Sequence, residues 1–538
     1  MLKKDENGER VPDYDKKHIE NASFQKPMPS PQDVPPGLQK AADRRNLDRV
    51  FVRGVVWTAA AKWFTQVLTW GMTVAVARLL APSDYGLVGM AAIYINIVTL
   101  FSEFGIGTAV VTLQDLTEDQ VSQLNTLSLF LGCVGFIISA AVANPLGKFF
   151  HAPDLPLVVM VLSGGFIVSS IRTVPHSLLQ KELRFKLLAV IEGLQGIVQA
   201  LLTLILAYLG FGYWALVLGI LSFSVTPTFL ILMWRRQSFA LPKSSSIRKA
   251  VHYSRHILIA NLCWASYNDS DFIIAGRVLG QTQLGIYTLA WTLAHTPLEK
   301  LTTLVNRVTP SVFATIQTDT EALRRYLRSI TGGMALIIFP VTIGLALVAP
   351  EFVPFVFGSK WTSVVPPLEL LALHALFRSN AILLTPLLNV IGEERLVMWN
   401  SMIAMVILPI SFYLGSRHWQ TVGIAGAWVV VYPLVQLRLF SRIFRRIELP
   451  RAEYLRALWP AASASACMAI SIDAVKGVSR VTWPLYARLT SEVLIGIVAY
   501  GMVLVLFHSD YLKGILRFAK VSRLRPISMP TGNDSSVV

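Results

Sequence analysis

The chain has 538 residues, 54% of them hydrophobic and 15% charged, with a mean hydropathy of +0.54. Soluble domains average about 45–50% apolar and about 25% charged residues, so the composition excludes a soluble globular protein and indicates an integral membrane protein. A net charge of +16 would suit nucleic acid or an acidic partner, but the bases cluster in connectors between apolar runs, which points to membrane topology and away from nucleic acid.

Residues 1–50 carry Pro27, Pro29, Pro31, Pro35 and Pro36 among mixed charges, without apolar periodicity, and read as a disordered cytoplasmic tail. They hold no apolar h-region, so no cleavable signal peptide is expected and the first span acts as its own insertion signal. A spanning helix needs roughly 20 mostly apolar residues, and about fourteen such segments follow. They are expected at 54–76, 86–108, 122–143, 156–178, 187–208 and 213–233, at 254–274, 284–306, 328–349, 366–388, 395–415 and 422–441, and at 454–473 and 489–507. Cys133, Cys263 and Cys467 all fall inside spans, which supports neither a disulfide framework nor a zinc cluster.

Lys/Arg clusters at 40–53, 181–186, 235–255, 307–328, 438–456 and 513–525 share a side with the N-terminus. The opposite connectors carry mostly one base each, Arg78, Lys148, Arg277, Lys360 and Arg417, with three (Lys476, Arg480 and Arg488) only near the end. The positive-inside rule then places the N-terminus in the cytoplasm, and an even helix count returns the C-terminus there.

The chain states one phrase twice. Arg78-Leu79-Leu80 followed by Tyr85-Gly86 returns as Arg277-Val278-Leu279 followed by Gly285-Ile286-Tyr287, at an offset of 199 between the glycines. Pro175, Glu182, Arg184 and Gly212 return at an offset of 211 as Pro386, Glu393, Arg395 and Gly423, so the second unit has gained residues between its second and third spans. The expected architecture is all-α and polytopic: a six-helix lobe over 51–233, a cytoplasmic connector over 234–253, a second six-helix lobe over 254–445, an extra helix pair over 446–508 and a cytoplasmic tail over 509–538. Duplicated bundles of this kind place a site at the midplane between halves that rock against each other.

The run from Asn268-Asp269-Ser270-Asp271 through Gly276-Arg277-Val278-Leu279-Gly280 to Leu284-Gly285-Ile286-Tyr287 resembles the mid-chain signature of Wzx-type polysaccharide exporters. Its N-terminal counterpart, Ala77-Arg78-Leu79-Leu80-Ala81-Pro82 to Tyr85-Gly86 and then Phe104-Gly105-Ile106-Gly107, is similar to the same family, flippases of the multidrug/oligosaccharidyl-lipid/polysaccharide superfamily. The resemblance covers roughly residues 50–445, and the long N-terminal tail departs from it. It implies alternating-access movement of an undecaprenyl-pyrophosphate-linked oligosaccharide across the bacterial inner membrane for exopolysaccharide, capsule or O-antigen export. It further implies a cationic central cavity, no cofactor, and contact with membrane lipids and with a polysaccharide polymerase and export complex.

A charge at the centre of a span costs roughly 3 kcal/mol or more unless it faces water or a partner. Lys62, Arg172 and Arg378 are therefore candidate contacts for an anionic headgroup, with Arg78 and Arg277 at the periplasmic mouth, since Arg grips phosphate in a bidentate fork and Lys acts as a point charge. Lys62 has pairing with Glu103 as its structural alternative, and Arg78 and Arg277 have snorkelling to lipid headgroups, whereas Arg172 and Arg378 have no nearby acid on their own helices. In the fifth span Glu192, Gln195, Gln199 and Thr203 share one helical face, and in the seventh Ser254, Asn261 and Asn268 recur at sevens. Such stripes either line a cavity, with Gln195, Gln199, Asn261 and Asn268 as its polar lining, or glue helices together. Glu192, Asp269 and Asp271 are candidates for coupling to an ion gradient, against helix capping or an Asp271–Arg277 contact as the structural alternative.

A drug or small-molecule antiporter of the same superfamily is the nearest rival function. A membrane enzyme such as an O-antigen polymerase or ligase is the rival from another class, and it needs large periplasmic loops that this chain lacks. No P-loop, nucleophile elbow or metal-ligand spacing occurs, so no catalytic residue, metal or cofactor is expected.

Overall fold

The computed structural model describes residues 68–513 apart from 104, 114–115, 243–267, 318 and 480–482, together with 3–4 and 10–11. The chain divides into two units, Met1–Gln66 and Val67–Val538. In the first, Lys3–Lys4 and Arg10–Val11 pair as a two-residue antiparallel ladder, a local order not expected of this tail. The rest of the tail and most of the first span lie outside the described residues, as do the greater part of the connector 234–253 and the start of the seventh span.

The second unit is all-helical among the described residues. Its first half holds α1 (68–79), α2 (Pro82–Glu103), α3 (Ile106–Thr112), α4 (Glu118–Phe150), α5 (Leu155–Lys181), α6 (Phe185–Tyr208) and α7 (Tyr213–Trp234). Its second half holds α8 (Ser270–Ile274), which runs into a π-turn over Ala275–Leu279, then α9 (Gln281–Thr315), α10 (Thr320–Phe357), α11 (Val365–Ala381), α12 (Leu384–Val390) and α13 (Glu394–Arg446). The final pair is α14 (Arg451–Ser479) and α15 (Leu485–Phe507). Among the described residues nine helices are long and apolar enough to cross a membrane.

Local chemistry sets the ends. Thr117 and Gln120 form a reciprocal capping box that starts α4, and Asp319 accepts from Ala322 N at 2.9 Å to start α10. The expected second span, 86–108, breaks at Gly105, whose φ of 63° ends one helix before α3 begins. The eleventh and twelfth spans share the 53 residues of α13, but non-helical Trp419 and Gln420 reverse the chain. That reversal brings Gly415 and Gly423 so close that a Cβ on Gly423 would lie 2.0 Å from Gly415 O.

In the first half α4 packs on α5, α5 on α7, and α6 on α7; in the second, α10 packs on α11 and α11 on α13. The extra pair α14 and α15 attaches to α10, where Lys476 and Glu351 form an ion pair of 3.0 Å with both side chains buried. The main bridge between the halves is α2 against α9. A Cβ on Gly86 would lie 1.7 Å from Gln281 O, and one on Gly285 would lie 1.8 Å from Pro82 O. Both contacts are related by the repeat offset of 199, so the two copies of the phrase meet each other backbone to backbone.

The same end is tied by donors to helix-terminal carbonyls, which lack partners within their own helices. Arg78 donates through Nε to Val356 O at 2.6 Å and through its guanidinium to Phe355 O, at the end of α10. In return Lys360 donates to Arg78 O at 2.7 Å and Leu80 O at 2.6 Å, and Trp361 Nε1 donates to Ala77 O at 2.8 Å. Gln281 Nε2 reaches Ser83 O at 2.9 Å. At the opposite end the repeated glutamates hold matching ion pairs, Glu182 with Arg235 at 3.1 Å and Glu393 with Arg442 at 2.7 Å.

Candidate functional site

A cavity of about 980 Å³ lies within the second half, bounded by α9, α11, α12 and both arms of α13. Its size falls at the upper end of ordinary ligand sites. On α9 the residues Trp291, His295, Glu299 and Thr302 recur at helical spacing and face it. Arg378 projects from α11, and its described hydrogen bond is one long contact of 3.4 Å to Asn268 Oδ1. Guanidinium carries five N–H donors, so most of this fork has no partner among the described residues and stands at the cavity.

One wall is aromatic. Trp291, Trp428 and Tyr432 follow one another at centroid separations of 5.5 Å and 5.7 Å, and His295 stacks on Trp291 at 3.8 Å with planes 16° apart. Behind this wall the polar groups are ordered by their acceptors. Trp291 O accepts from His295 Nδ1 at 3.1 Å, so in the neutral pair His295 Nε2 accepts from His374 Nδ1 at 3.1 Å. His374 Nε2 is then a fully buried lone pair with no hydrogen-bond partner among the described residues. Asp271 is also fully buried, and its Oδ2 accepts from Tyr287 at 2.7 Å and from Trp428 Nε1 at 2.9 Å. The carboxylate therefore ties α8, α9 and α13 together beneath the wall.

Of the residues expected at a site, Arg378 and Asn268 line this cavity. Asp269 accepts from Asn268 Nδ2 at 3.0 Å, which sets it just behind the lining. Asp271 makes no ion pair with Arg277. Arg277 instead donates to a ring nitrogen of His151 at 2.7 Å and lies over Phe149 at 5.3 Å. Arg78 is spent on the carbonyls of α10. Arg172 is half-buried on α5 and Glu192 is exposed on α6, both away from the cavity. Gln195 is buried and Gln199 half-buried on the same face of α6, and Thr203 below them packs against Gly219 of α7, so this stripe follows a helix interface. Lys62 and Asn261 lie outside the described residues. No group of three His, Cys, Asp or Glu able to hold a metal occurs among the described residues.

Sequence reading passed over His295 and Trp428. His295 had a signal, a titratable residue in an apolar run one turn from Trp291 and one from Glu299. Trp428 had none, because its role depends on Asp271, which is 157 positions away.

Comparison with known proteins agrees with this architecture. The chain is 29% identical over 348 residues to the lipopolysaccharide biosynthesis protein WzxC of Escherichia coli (strain K12), a match covering 61% of this chain and 67% of that one. Its fold is that of the lipid II flippase MurJ in an inward closed conformation, with a TM-score of 0.67 at 13% identity over 85% of this chain and 100% of that one. An inward-facing multidrug resistance MATE family transporter of the MOP superfamily superposes with a TM-score of 0.57 at 15% identity, over 71% and 96% of the two chains. Residues 75–366 match the family described as "Polysaccharide biosynthesis protein", a stretch that opens just before the first copy of the repeated phrase and takes in the second. With more than half of its length so matched, the chain belongs to that polysaccharide biosynthesis protein family.

Proposed function

We propose that the chain is a flippase that carries a lipid-linked oligosaccharide, built on undecaprenyl pyrophosphate, across the bacterial inner membrane for polysaccharide export. The observation that carries this reading is Arg378, an intramembrane cation with one long hydrogen bond among the described residues, at a cavity of about 980 Å³ inside a duplicated transporter fold. Fixed donors there replace the hydration that a pyrophosphate loses as it leaves the interface. Residues 51–233 and 254–445 act as the two lobes, and 446–508 is an accessory pair. Both termini are cytoplasmic. The end tied by Arg78, Lys360 and the Gly86–Gly285 approach is then the periplasmic end, held shut, and transport requires those contacts to part. A polysaccharide polymerase and export complex receives the product.

The test is deletion of the gene followed by leaflet-resolved analysis of lipid-linked intermediates. Accumulation of complete repeat units on the cytoplasmic leaflet is expected, restored by the wild-type chain and not by Arg378→Ala at equal protein level. Normal surface polymer in the deletion, or units already on the outer leaflet, overturns the reading. The second outcome favours a polymerase or ligase, and substrate-stimulated drug efflux with normal polymer favours the antiporter.

A further inference from the structure

The lining of the cavity comes from one half. At the offset of 199, Trp291, His295 and Glu299 correspond to Ala92, Asn96 and Leu100 in the first half. At the offset of 211, Arg378, Glu394, Ser401, Trp428, Tyr432 and Gln436 correspond to Ile167, Leu183, Val190, Val217, Leu221 and Val225. All of these counterparts except Asn96 are aliphatic, so the charged and aromatic side chains of the lining belong to the second copy of the repeat. The second half also bears the desolvation of a buried histidine pair and of Asp271, where the first half has Asn96, Ser163 and Met72 at the matching positions.

The chemistry of the lining narrows the occupant. Arg378 suits a phosphate, but Glu299 and Glu394 share the cavity and repel a bare diphosphate. The carboxylates, the hydroxyl oxygens of Thr302 and Ser401, whose protons go to Leu298 O and Val397 O, and the polar groups of Thr385 and Gln436 are the kinds of partner that a polyol takes. The contiguous rings of Trp291, Trp428 and Tyr432 offer π faces, which attract the electropositive C–H face of a pyranose. Trp291 and Tyr432 are the part-exposed members of this wall, while Trp428 and His295 are buried behind them.

We propose that this pocket is a carbohydrate subsite of the second half alone: it stacks the first sugar of the cargo on Trp291 and Tyr432 while Arg378 holds the adjoining diphosphate. The cargo head is therefore bound off the pseudo-symmetry axis. The proposal rests on the flippase reading, and its test separates the two. Full-length protein in nanodiscs is titrated calorimetrically with farnesyl diphosphate and with glucosyl-diphospho-farnesol. The sugar should tighten wild-type binding about tenfold or more. The gain, read as the ratio of the two affinities, should be lost in Trp291→Leu and Tyr432→Leu and retained in Trp291→Phe, and Arg378→Ala should weaken both probes.

Binding of farnesyl diphosphate with no gain from the sugar, or a gain untouched in both leucine variants, overturns the subsite and leaves the flippase reading standing. No binding of either probe strikes both. Preference for a lipophilic cation over both probes overturns the subsite in favour of a cationic-drug pocket.

Discussion

The two halves agree where they touch and differ where they enclose space. At the touching end, Gly86 and Gly285 make reciprocal approaches, and at the far end Glu182–Arg235 is matched by Glu393–Arg442. In the interior, Ala92, Ile167, Val217 and Leu221 stand where the other half has Trp291, Arg378, Trp428 and Tyr432. Of the features retained in both copies, the glycines set how the halves pack against each other and the glutamates each close an ion pair within their own half. The charged and aromatic lining of the cavity is present in one copy only.

The comparison is broken most severely by Arg378. Replacing it with Ala should cut export roughly 30-fold or more, the scale of truncating a charge-assisted contact in a desolvated site. Arg378→Lys should recover only part, because the planar fork is lost. Arg172→Ala, on the other half, should leave more export than Arg378→Ala when surface polymer is measured at equal protein level; the reverse order would place the site in the first half.

The next effect is on the accessory pair, which has no counterpart in the repeat. Lys476→Met leaves Glu351 buried and unpaired and should cost about 3–5 kcal/mol, read as a lowered melting temperature in detergent. The double variant with Glu351→Leu should recover most of it.

A smaller cost attaches to the crossing. Gly86→Ala or Gly285→Ala forces backbones apart by meeting a carbonyl oxygen, with an expected loss of about 1–3 kcal/mol in thermal unfolding. The two variants should behave alike, and a large difference between them would refute the symmetry of the contact. The exposed pairs are the weakest: Glu182→Gln and Glu393→Gln should each change stability by about 0.2–1 kcal/mol and fade further in high salt.

The fold was legible because lipid demands long apolar helices and the duplication survives in glycine, proline and arginine. The eleventh and twelfth spans could be separated on composition, and the reversal at Trp419 and Gln420 follows from the gap between them. The break at Gly105 was not legible as a break, since apolar residues run through it and only its φ of 63° reveals the stop. The site was legible in part. Arg378 stood out as a charge in an apolar run and Asn268 as one of a polar stripe recurring at sevens, and both line the cavity. Arg78 and Arg277 stood out for the same reason, but partners hundreds of positions away in the case of Arg78, and 126 away for Arg277, decide what they do. Long-range pairing of this kind leaves no local mark in a single sequence.

At the tied end Arg78, Lys360, Trp361 and Gln281 all donate to main-chain oxygens. Every residue supplies a carbonyl whatever its side chain, so the recipients are free to drift without a compensating change across the seam. Selection there has to hold only the donors and the two positions without a Cβ. A latch built in this way can stay intact across lineages that share less than a third of their residues, while the interior is rebuilt around each new glycan.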